Sequence, residues 1–231
     1  MKVLLIVIGV LLAVLLLVDR VGVEYAKDRV AEQVQEDLGL SALPGVEING
    51  FPVLTQAVAG EYDDVRLTVD AADLGELSDL DVEVQLTGVQ IPLSDLLGGD
   101  IETIPVEGVA GTVSIPYAEV AAQIGSGVRV ADGPDGVVVS QTLDVLGEQI
   151  EVSGTGRIRV ESSDQIGVTV VGLNLAGLEI PGVLIEQLQE QLSFTYTVPP
   201  LPFGLRITGA TATADGFDVS AEAEDAVLAP L

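Results

Sequence analysis

Apolar and polar residues alternate one by one along many short stretches of the chain from Val46 onward. Successive side chains of a strand point to opposite faces of a sheet, so this period of two predicts strands with one covered face. One-sided alternation is typical of antiparallel sheets rather than parallel ones. The apolar residues of the alternating stretches are Val65, Leu67, Val69, Val82, Val84, Leu86, Ile150, Val152, Ile158, Val160, Val168 and Val170.

Glycines interrupt this alternation and separate the predicted strands. At Gly88 the apolar phase changes, and a second alternating run, Val89–Leu93, begins. A change of phase at a glycine indicates a β-bulge, and bulges bend a sheet. Turn signals lie between the runs, at Asn49-Gly50, Gly98-Gly99, Asp135-Gly136 and Asp215-Gly216.

Helical signals occur at few places after residue 40. Pro116–Gly125 has proline at its start and glycine at its end, as helices often do, and a shorter helix is predicted at Val53–Ala59. Pro181–Phe194 has an apolar stripe at helical spacing. The members of that stripe are Leu184, Ile185, Leu188 and Leu192. Each of the two longer helices precedes a predicted hairpin, Val128–Ser140 or Leu205–Ser220. Together these signals predict an α+β fold in which a strongly curved antiparallel sheet wraps around helices.

The N-terminus consists of an unbroken apolar run, Val3–Val18, after Lys2. A helix that spans a membrane needs about 20 apolar residues, so this run is slightly short for a span. Residues 1–20 are predicted to be either an uncleaved membrane anchor, which we favour, or a removed signal segment. An amphipathic helix should continue to about Gly39, and residues 21–231 should form a single domain. Both alternatives place that domain on the extracytoplasmic side of the cell membrane.

Composition excludes several classes of function. The formal net charge is −27, and after Arg29 the chain has five arginines and no lysine. Nucleic-acid binding needs a basic surface, so no nucleic acid is expected as a partner. The chain contains no cysteine and no histidine, which excludes thiol chemistry, the usual zinc sites and every Ser-His-Asp arrangement. No cofactor and no metal is expected.

Carboxylates are the remaining candidates for catalysis. Asp63-Asp64 lies beside a predicted strand, and a pair of carboxylates could serve a glycosidase. Asp70, Asp73, Glu76 and Asp79 could hold calcium, although their spacing is not that of an EF-hand. Neither group stands out from the many other acidic residues, so solvated acidic loops are the favoured interpretation and no catalytic residue is assigned.

Three stretches resemble a known family. GFPVLTQAVAGEYDDVRLTV (Gly50–Val69), VEGVAGTVSIPYAEVAAQIG (Val106–Gly125) and LPFGLRITGATATADGFDVSAEAEDAVL (Leu201–Leu228) resemble, in order and spacing, the actinobacterial LmeA family of phospholipid-binding cell-envelope proteins. The resemblance covers nearly the whole chain. It implies a tubular lipid-binding fold, similar to that of the bactericidal/permeability-increasing protein. It also implies a role in building mannosylated envelope lipids, with envelope glycosyltransferases as partners.

Pattern and resemblance together favour an anchored lipid-binding protein that is not an enzyme. Such a protein would hold or shuttle a phospholipid or glycolipid precursor, provided that its apolar faces enclose space instead of filling it. The cavity wall would then consist of the alternating residues and the helical stripe: Val65, Leu67, Val69, Val82, Val84, Leu86, Ile150, Val152, Val168, Val170, Leu184, Ile185, Leu188 and Leu192. Two alternatives stay open: a structural or assembly factor for envelope enzymes with a filled core, and a carboxylate hydrolase.

Overall fold

The computed structural model describes residues 19, 22–24, 26–36, 39–74, 77–98, 103–145, 148–175, 194–197 and 201–228. Within them the chain is mostly sheet with a few short helices, which confirms the α+β class. The strands are β1 (Gly45–Asn49), β2 (Glu61–Leu74), β3 (Leu77–Gln90), β4 (Ile104–Pro116), β5 (Val128–Gly133), β6 (Gly136–Val145), β7 (Glu148–Ser162), β8 (Gln165–Leu175), β9 (Phe194–Thr197), β10 (Arg206–Ala212) and β11 (Gly216–Leu228). After residue 40 the described helices are α1 (Val53–Ala59), α2 (Leu93–Gly98) and α3 (Tyr117–Ile124), with a 3₁₀ turn at Pro202–Gly204.

The strands form two sheets instead of the single curved sheet that the alternation predicts. One has the order β1-β2-β3-β4-β11-β10 and the other β5-β6-β7-β8-β9, and neither closes on itself within the described residues. Every pairing with a described register is antiparallel, as predicted. The sheets separate in sequence where β4 ends at Pro116 and α3 begins. Proline cannot donate a ladder hydrogen bond but fits the start of a helix.

The chain divides into two compact units. Unit one comprises Met1–Asp70, Glu83–Ala110 and Ala223–Leu231, and unit two comprises Ala71–Val82 and Gly111–Glu222. The long strands β2, β3, β4 and β11 therefore contribute residues to both units. The buried core of unit one includes Val46, Val53, Tyr62, Leu86, Val89, Val106 and Val109, and that of unit two includes Ala72, Leu80, Tyr117, Ala121, Val137 and Ile207.

In unit one, the corner between β1 and β2 is organised around the buried side chain of Gln56. Its amide nitrogen donates to the carbonyl of Asn49 (3.2 Å), and its amide oxygen accepts from the backbone N–H of Asp63 (2.9 Å). Gly50 has a φ of +97°, and a Cβ there would collide with the Gln56 amide. Helix α1 begins directly after the Gly50–Pro52 turn, and its predicted range is confirmed.

Gly88 changes the phase of β3, as predicted. Its φ is +59°, and Leu86 and Val89, three positions apart, are both buried. The prediction that the second alternating run continues as a strand to Leu93 is wrong. Strand β3 ends at Gln90, and Leu93 begins helix α2 after Pro92. The proline ends the ladder because it lacks a backbone N–H.

The N-terminal part of unit one is helical at residues 22–24 and 26–36, as the amphipathic pattern predicts. Asp19 is buried, with 3% of its surface exposed, and its carboxylate accepts a hydrogen bond from the backbone N–H of Leu54 (2.7 Å). The predicted anchor run lies outside the described residues. No helix among the residues that are described is both long and apolar enough to span a membrane. The predicted helix at Pro181–Phe194 also lies outside them, except that Phe194 begins strand β9.

Candidate functional site

Unit two contains an apolar pocket of about 420 Å³. Helix α3 contributes Val120 and Ile124 to its wall, and β11 contributes Phe217. The rest of the described lining comes from strands β5 to β8: Val128, Val130, Val137, Val139, Ser140, Gln141, Val152, Gly154, Gly156, Arg157, Ile158, Val168 and Val170. Most of these residues share one face of the strands, whereas Ser140 and Arg157 occupy the alternate positions. This volume lies within the range of about 300–1,000 Å³ that is usual for small-ligand sites.

The strand register explains why most of these residues share a face. Val130 pairs with Val139, which pairs with Gly154, and Val137 pairs with Gly156. Cross-strand partners lie on the same side of a sheet, so the alternation of each strand continues across all four. The valines of neighbouring strands therefore form one continuous apolar surface under α3.

Glycines create much of the free space on this surface. Gly154 and Gly156 occupy inward positions of β7 where the alternation would otherwise place apolar side chains. A Cβ on Gly156 would lie 3.7 Å from Val168 Cγ1, which is an ordinary van der Waals contact. No neighbouring atom therefore lies so close to Gly156 that only glycine fits there. A side chain at this position would occupy part of the pocket.

Helix α3 is fixed over the sheet at its N-terminus. The Tyr117 backbone N–H donates to the carbonyl of Asp215 (3.2 Å), and the Tyr117 hydroxyl donates to the carbonyl of Thr213 (2.7 Å). The Tyr117 ring packs edge-on against Phe217, with centroids 5.1 Å apart. Burial raises the pKa of Tyr117 above its ordinary value of 10.0, and the carboxylates of Asp132 and Asp215 raise it further. The hydroxyl thus stays protonated and keeps its hydrogen bond.

The polar residues of the described lining are Ser140 and Gln141, in the middle of strand β6, and Arg157, which lies on β7 beside the start of β6. Gln141 donates to the carbonyl of Ser126 (3.4 Å). Arg157 Nε donates to the carbonyl of Asp135 (3.2 Å) in the β5–β6 turn. Arg157 is the one charged residue in the described lining, and it is exposed. None of the ion pairs among the described residues uses it.

Only some of the predicted wall residues lie in this pocket. Val152, Val168 and Val170 line it. The predicted residues on β2 and β3 do not belong to the described lining: Val65, Leu67, Val69, Val82, Val84 and Leu86. Leu86 is buried and the other five are half-buried. Leu184, Ile185, Leu188 and Leu192 lie outside the described residues, as does the side chain of Ile150. The role of all these residues in lipid binding remains a prediction.

Other wall residues were not among the candidates from the sequence. Valines 128, 130, 137 and 139 belong to the predicted β5–β6 hairpin, and their alternation could have identified them. Val120 and Ile124, four positions apart in a predicted helix, carry a similar signal. Gly154, Gly156 and Arg157 carry no such signal, because their place in the wall depends on the register between strands.

Of the candidate carboxylates, that of Asp64 has structural partners in unit one. Asp64 accepts hydrogen bonds from the side chains of Asn49 (3.3 Å) and Gln85 (2.7 Å). The backbone N–H of Asp63 bonds to Gln56, as described above. No group of three or more acidic side chains that could hold a metal ion occurs within the described part of the chain. Glu76, a member of the suggested calcium cluster, lies outside that part.

The fold and the pocket together define a class of protein: a β-rich protein with an apolar pocket suited to an apolar ligand. A family model described as LmeA-like phospholipid-binding matches residues 17–222. The chain therefore belongs to the LmeA-like phospholipid-binding family, as its sequence motifs indicate. This is a family of binding proteins rather than one defined by catalysis. Neither the curated proteins nor the solved structures contain a significant match.

Proposed function

We propose that this protein holds or shuttles a phospholipid or glycolipid precursor by taking hydrocarbon into the pocket under α3. The observation that supports this most directly is the apolar lining of that pocket. Removal of hydrocarbon from water gains about 0.8 kcal/mol per buried methylene. A wall of valine and isoleucine offers an environment about as apolar as a bilayer, so loading and release are nearly balanced in free energy.

An open pocket also bears on the alternative of an assembly factor with a filled core. In such a factor, α3 would pack directly on the β5–β8 face and leave no space of ligand size. The described lining instead surrounds about 420 Å³. The open space on this face supports a lipid-binding role over a filled core.

Arg157 would lie beside the phosphate of a bound phospholipid. It is placed at the turn end of the pocket, exposed to water, and its Nε is held by the Asp135 carbonyl. Its terminal guanidinium nitrogens could then donate to a phosphate, for which arginine is well suited. This arrangement would leave the tail on the apolar wall and the head group in water.

We further propose that the protein acts at the extracytoplasmic face of the cell membrane, with residues 1–20 as its anchor. The unbroken apolar run Val3–Val18 supports an anchor, and the family supports a place in the cell envelope. The protein would then act in the biogenesis of mannosylated envelope lipids. Its partners would be envelope glycosyltransferases, which would supply the bound lipid or use it.

The proposal is tested by the change Ile124→Glu. Ile124 lines the pocket yet is 55% exposed, so the substitution should leave the fold intact. A carboxylate facing the lipid tail would have to lose its water, which is unfavourable. We expect at least a tenfold loss of phospholipid binding, measured by native mass spectrometry of the detergent-purified full chain with added phosphatidylglycerol.

The matched control is Ala122→Glu, which adds the same charge to an exposed position of the same helix outside the lining. It should bind lipid like the original chain. Equal loss in both variants would indicate a general charge effect, and no loss in Ile124→Glu would contradict this site. Absence of lipid binding by the original chain would contradict the function itself.

A further inference from the structure

The volume of the pocket limits how much of a lipid it can enclose. A volume of about 420 Å³ lies toward the lower end of the range of about 300–1,000 Å³ that is usual for small-ligand sites. A site of this size suits one acyl chain better than the two tails of a diacyl lipid together.

The shape of the lining agrees with a single chain. The apolar wall follows β6 from Val137 to Gln141, a distance of about 13 Å at strand spacing. Polar groups lie at both ends of this path: the Gln141 amide at one and Arg157 at the other. A tail that leaves a head group near Arg157 would therefore run along β6 toward Gln141.

Gly156 lies within this path, at the Arg157 end. It pairs with Val137 on β6 and with Val170 on β8, both of which line the pocket. Its backbone φ is not positive, and a Cβ there would make only ordinary contacts. A larger side chain at Gly156 can therefore reduce the pocket without straining the strand.

We propose that the pocket holds one hydrocarbon tail per chain and that Gly156 sets the tail length it accepts. This inference rests on the proposed function. The tail can belong to a single-tail lysophospholipid or to one arm of a diacyl phospholipid, whose second arm then stays outside the pocket.

The first experiment counts tails. The full chain is titrated with lysophosphatidylglycerol in native mass spectrometry, and we expect saturation at one lipid. Two lysolipids per chain, both lost together in Ile124→Glu, would overturn the inference while supporting the proposed function. No binding of lysolipid or diacyl lipid would overturn both. An equimolar mixture of lysolipid and diacyl phosphatidylglycerol then identifies the source of the tail, because the two complexes differ in mass.

The second experiment tests Gly156 with a series of lysophosphatidylglycerols from dodecanoyl to octadecanoyl. Gly156→Val should weaken binding of the longest tail about tenfold and leave the shortest nearly unchanged, since the valine displaces only part of the pocket. The control is Gly172→Val on β8. Gly172 pairs with Thr155, outside the described lining, and a Cβ there would lie 3.8 Å from Thr155 Cβ.

Gly172→Val should bind every tail length like the original chain. A uniform loss across the series in Gly156→Val, with normal binding by Gly172→Val, would overturn the role of Gly156 in tail length. If Gly156→Val fails to fold, Gly156→Ala provides the same test with a smaller shift, because its single methyl group fits within ordinary contact distances.

Discussion

Arg157 is unusual for its chain because it is a cation at the rim of an apolar pocket in a protein of net charge −27. Its neighbours in sequence show the contrast. Arg159, two positions along β7, is outside the described lining and donates weakly to Thr169 Oγ1 (3.5 Å). Arg129 alternates with Val128 and Val130, which line the pocket. One arginine of β7 thus belongs to the described lining and the other does not.

Removal of the Arg157 charge should lower affinity for a lipid that carries a phosphate. We expect Arg157→Gln to bind phosphatidylglycerol about tenfold more weakly, because hydrogen bonds to charged groups contribute about 1.5–3 kcal/mol. Binding of diacylglycerol with the same tails, which has no phosphate, should be nearly unchanged. Arg129→Gln is the matched control, since it removes the same charge outside the described lining. Equal losses for both lipids in Arg157→Gln would show that the arginine supports the pocket without reading the head group.

The sequence identifies single wall residues only in part. Val152, Val168 and Val170 were predicted because each lies in an alternating run, and they do line the pocket. Gly154 and Gly156 could not be predicted in the same way. These glycines leave space in the pocket because they have no side chain opposite Val139 and Val137. Which residues lie opposite depends on the register between β6 and β7, and the sequence of one strand does not specify it.

At the scale of elements, helix α3 depends on its first residue. The Tyr117 hydroxyl hydrogen bond and the Phe217 ring contact hold the end of the helix that leads to Val120 and Ile124. The helix has eight residues, which is too short to be stable alone in water. The contacts of Tyr117 therefore position the lid of the pocket as well as stabilise unit two.

The change Tyr117→Phe should reduce the free energy of unfolding by about 1 kcal/mol at neutral pH, because the hydrogen bond to the half-buried carbonyl of Thr213 is lost. Its pH dependence has a definite sign. The folded pKa of Tyr117 is raised, so its contribution to stability is fully present below pH 10.0 and is lost as the pH rises toward the folded value. The original chain should therefore lose stability in alkali, and Tyr117→Phe should lose less.

Denaturant titrations from about pH 8 to about pH 11 measure this effect. Tyr62→Phe is an informative comparison, because burial also raises the pKa of Tyr62. Tyr62→Phe should likewise reduce the loss of stability at high pH. It should not show the loss of stability at neutral pH that Tyr117→Phe shows, because that loss comes from the hydrogen bond to Thr213. An unchanged alkaline slope in Tyr117→Phe would contradict the role given to its hydroxyl.

Elements were predicted well where a local signal was strong. Helix α1, helix α3 and the β5–β6 and β10–β11 hairpins each have proline or glycine at their boundaries, and all occur. Helix α2 was missed because its six residues are too few to show a helical period. The division of the strands into two sheets was missed because the alternation of apolar and polar residues indicates which face of a strand is covered. It does not indicate which other strand pairs with it.

At the scale of the whole molecule, the net charge of −27 opposes folding through self-repulsion. The ion pairs of the described residues, formed by Lys27, Arg29 and Arg66, lie within single helices or between neighbouring strands and are largely exposed, so they offset little of it. Charge of one sign also opposes association between copies of a chain whose mean hydropathy is positive (+0.51).

Screening should therefore stabilise this protein. We expect the Tm to rise as sodium chloride increases from about 10 to about 150 mM, because the Debye length falls from about 30 to about 8 Å over that range. Differential scanning calorimetry measures the shift, with sucrose of matched osmolality as the control for effects other than ionic screening. A Tm that falls with salt would show that attractive pairs outweigh the repulsion.

The hydrogen bond of Asp19 has a practical meaning for where this protein can be cut. Helix α1 starts at a proline that offers no side-chain cap, and Asp19 supplies an acceptor to its second residue from 35 positions upstream. A shortened chain that starts at position 21, directly after the predicted anchor, would leave that N–H without its acceptor. A version that begins at residue 19 or earlier would keep this hydrogen bond between the N-terminal segment and helix α1.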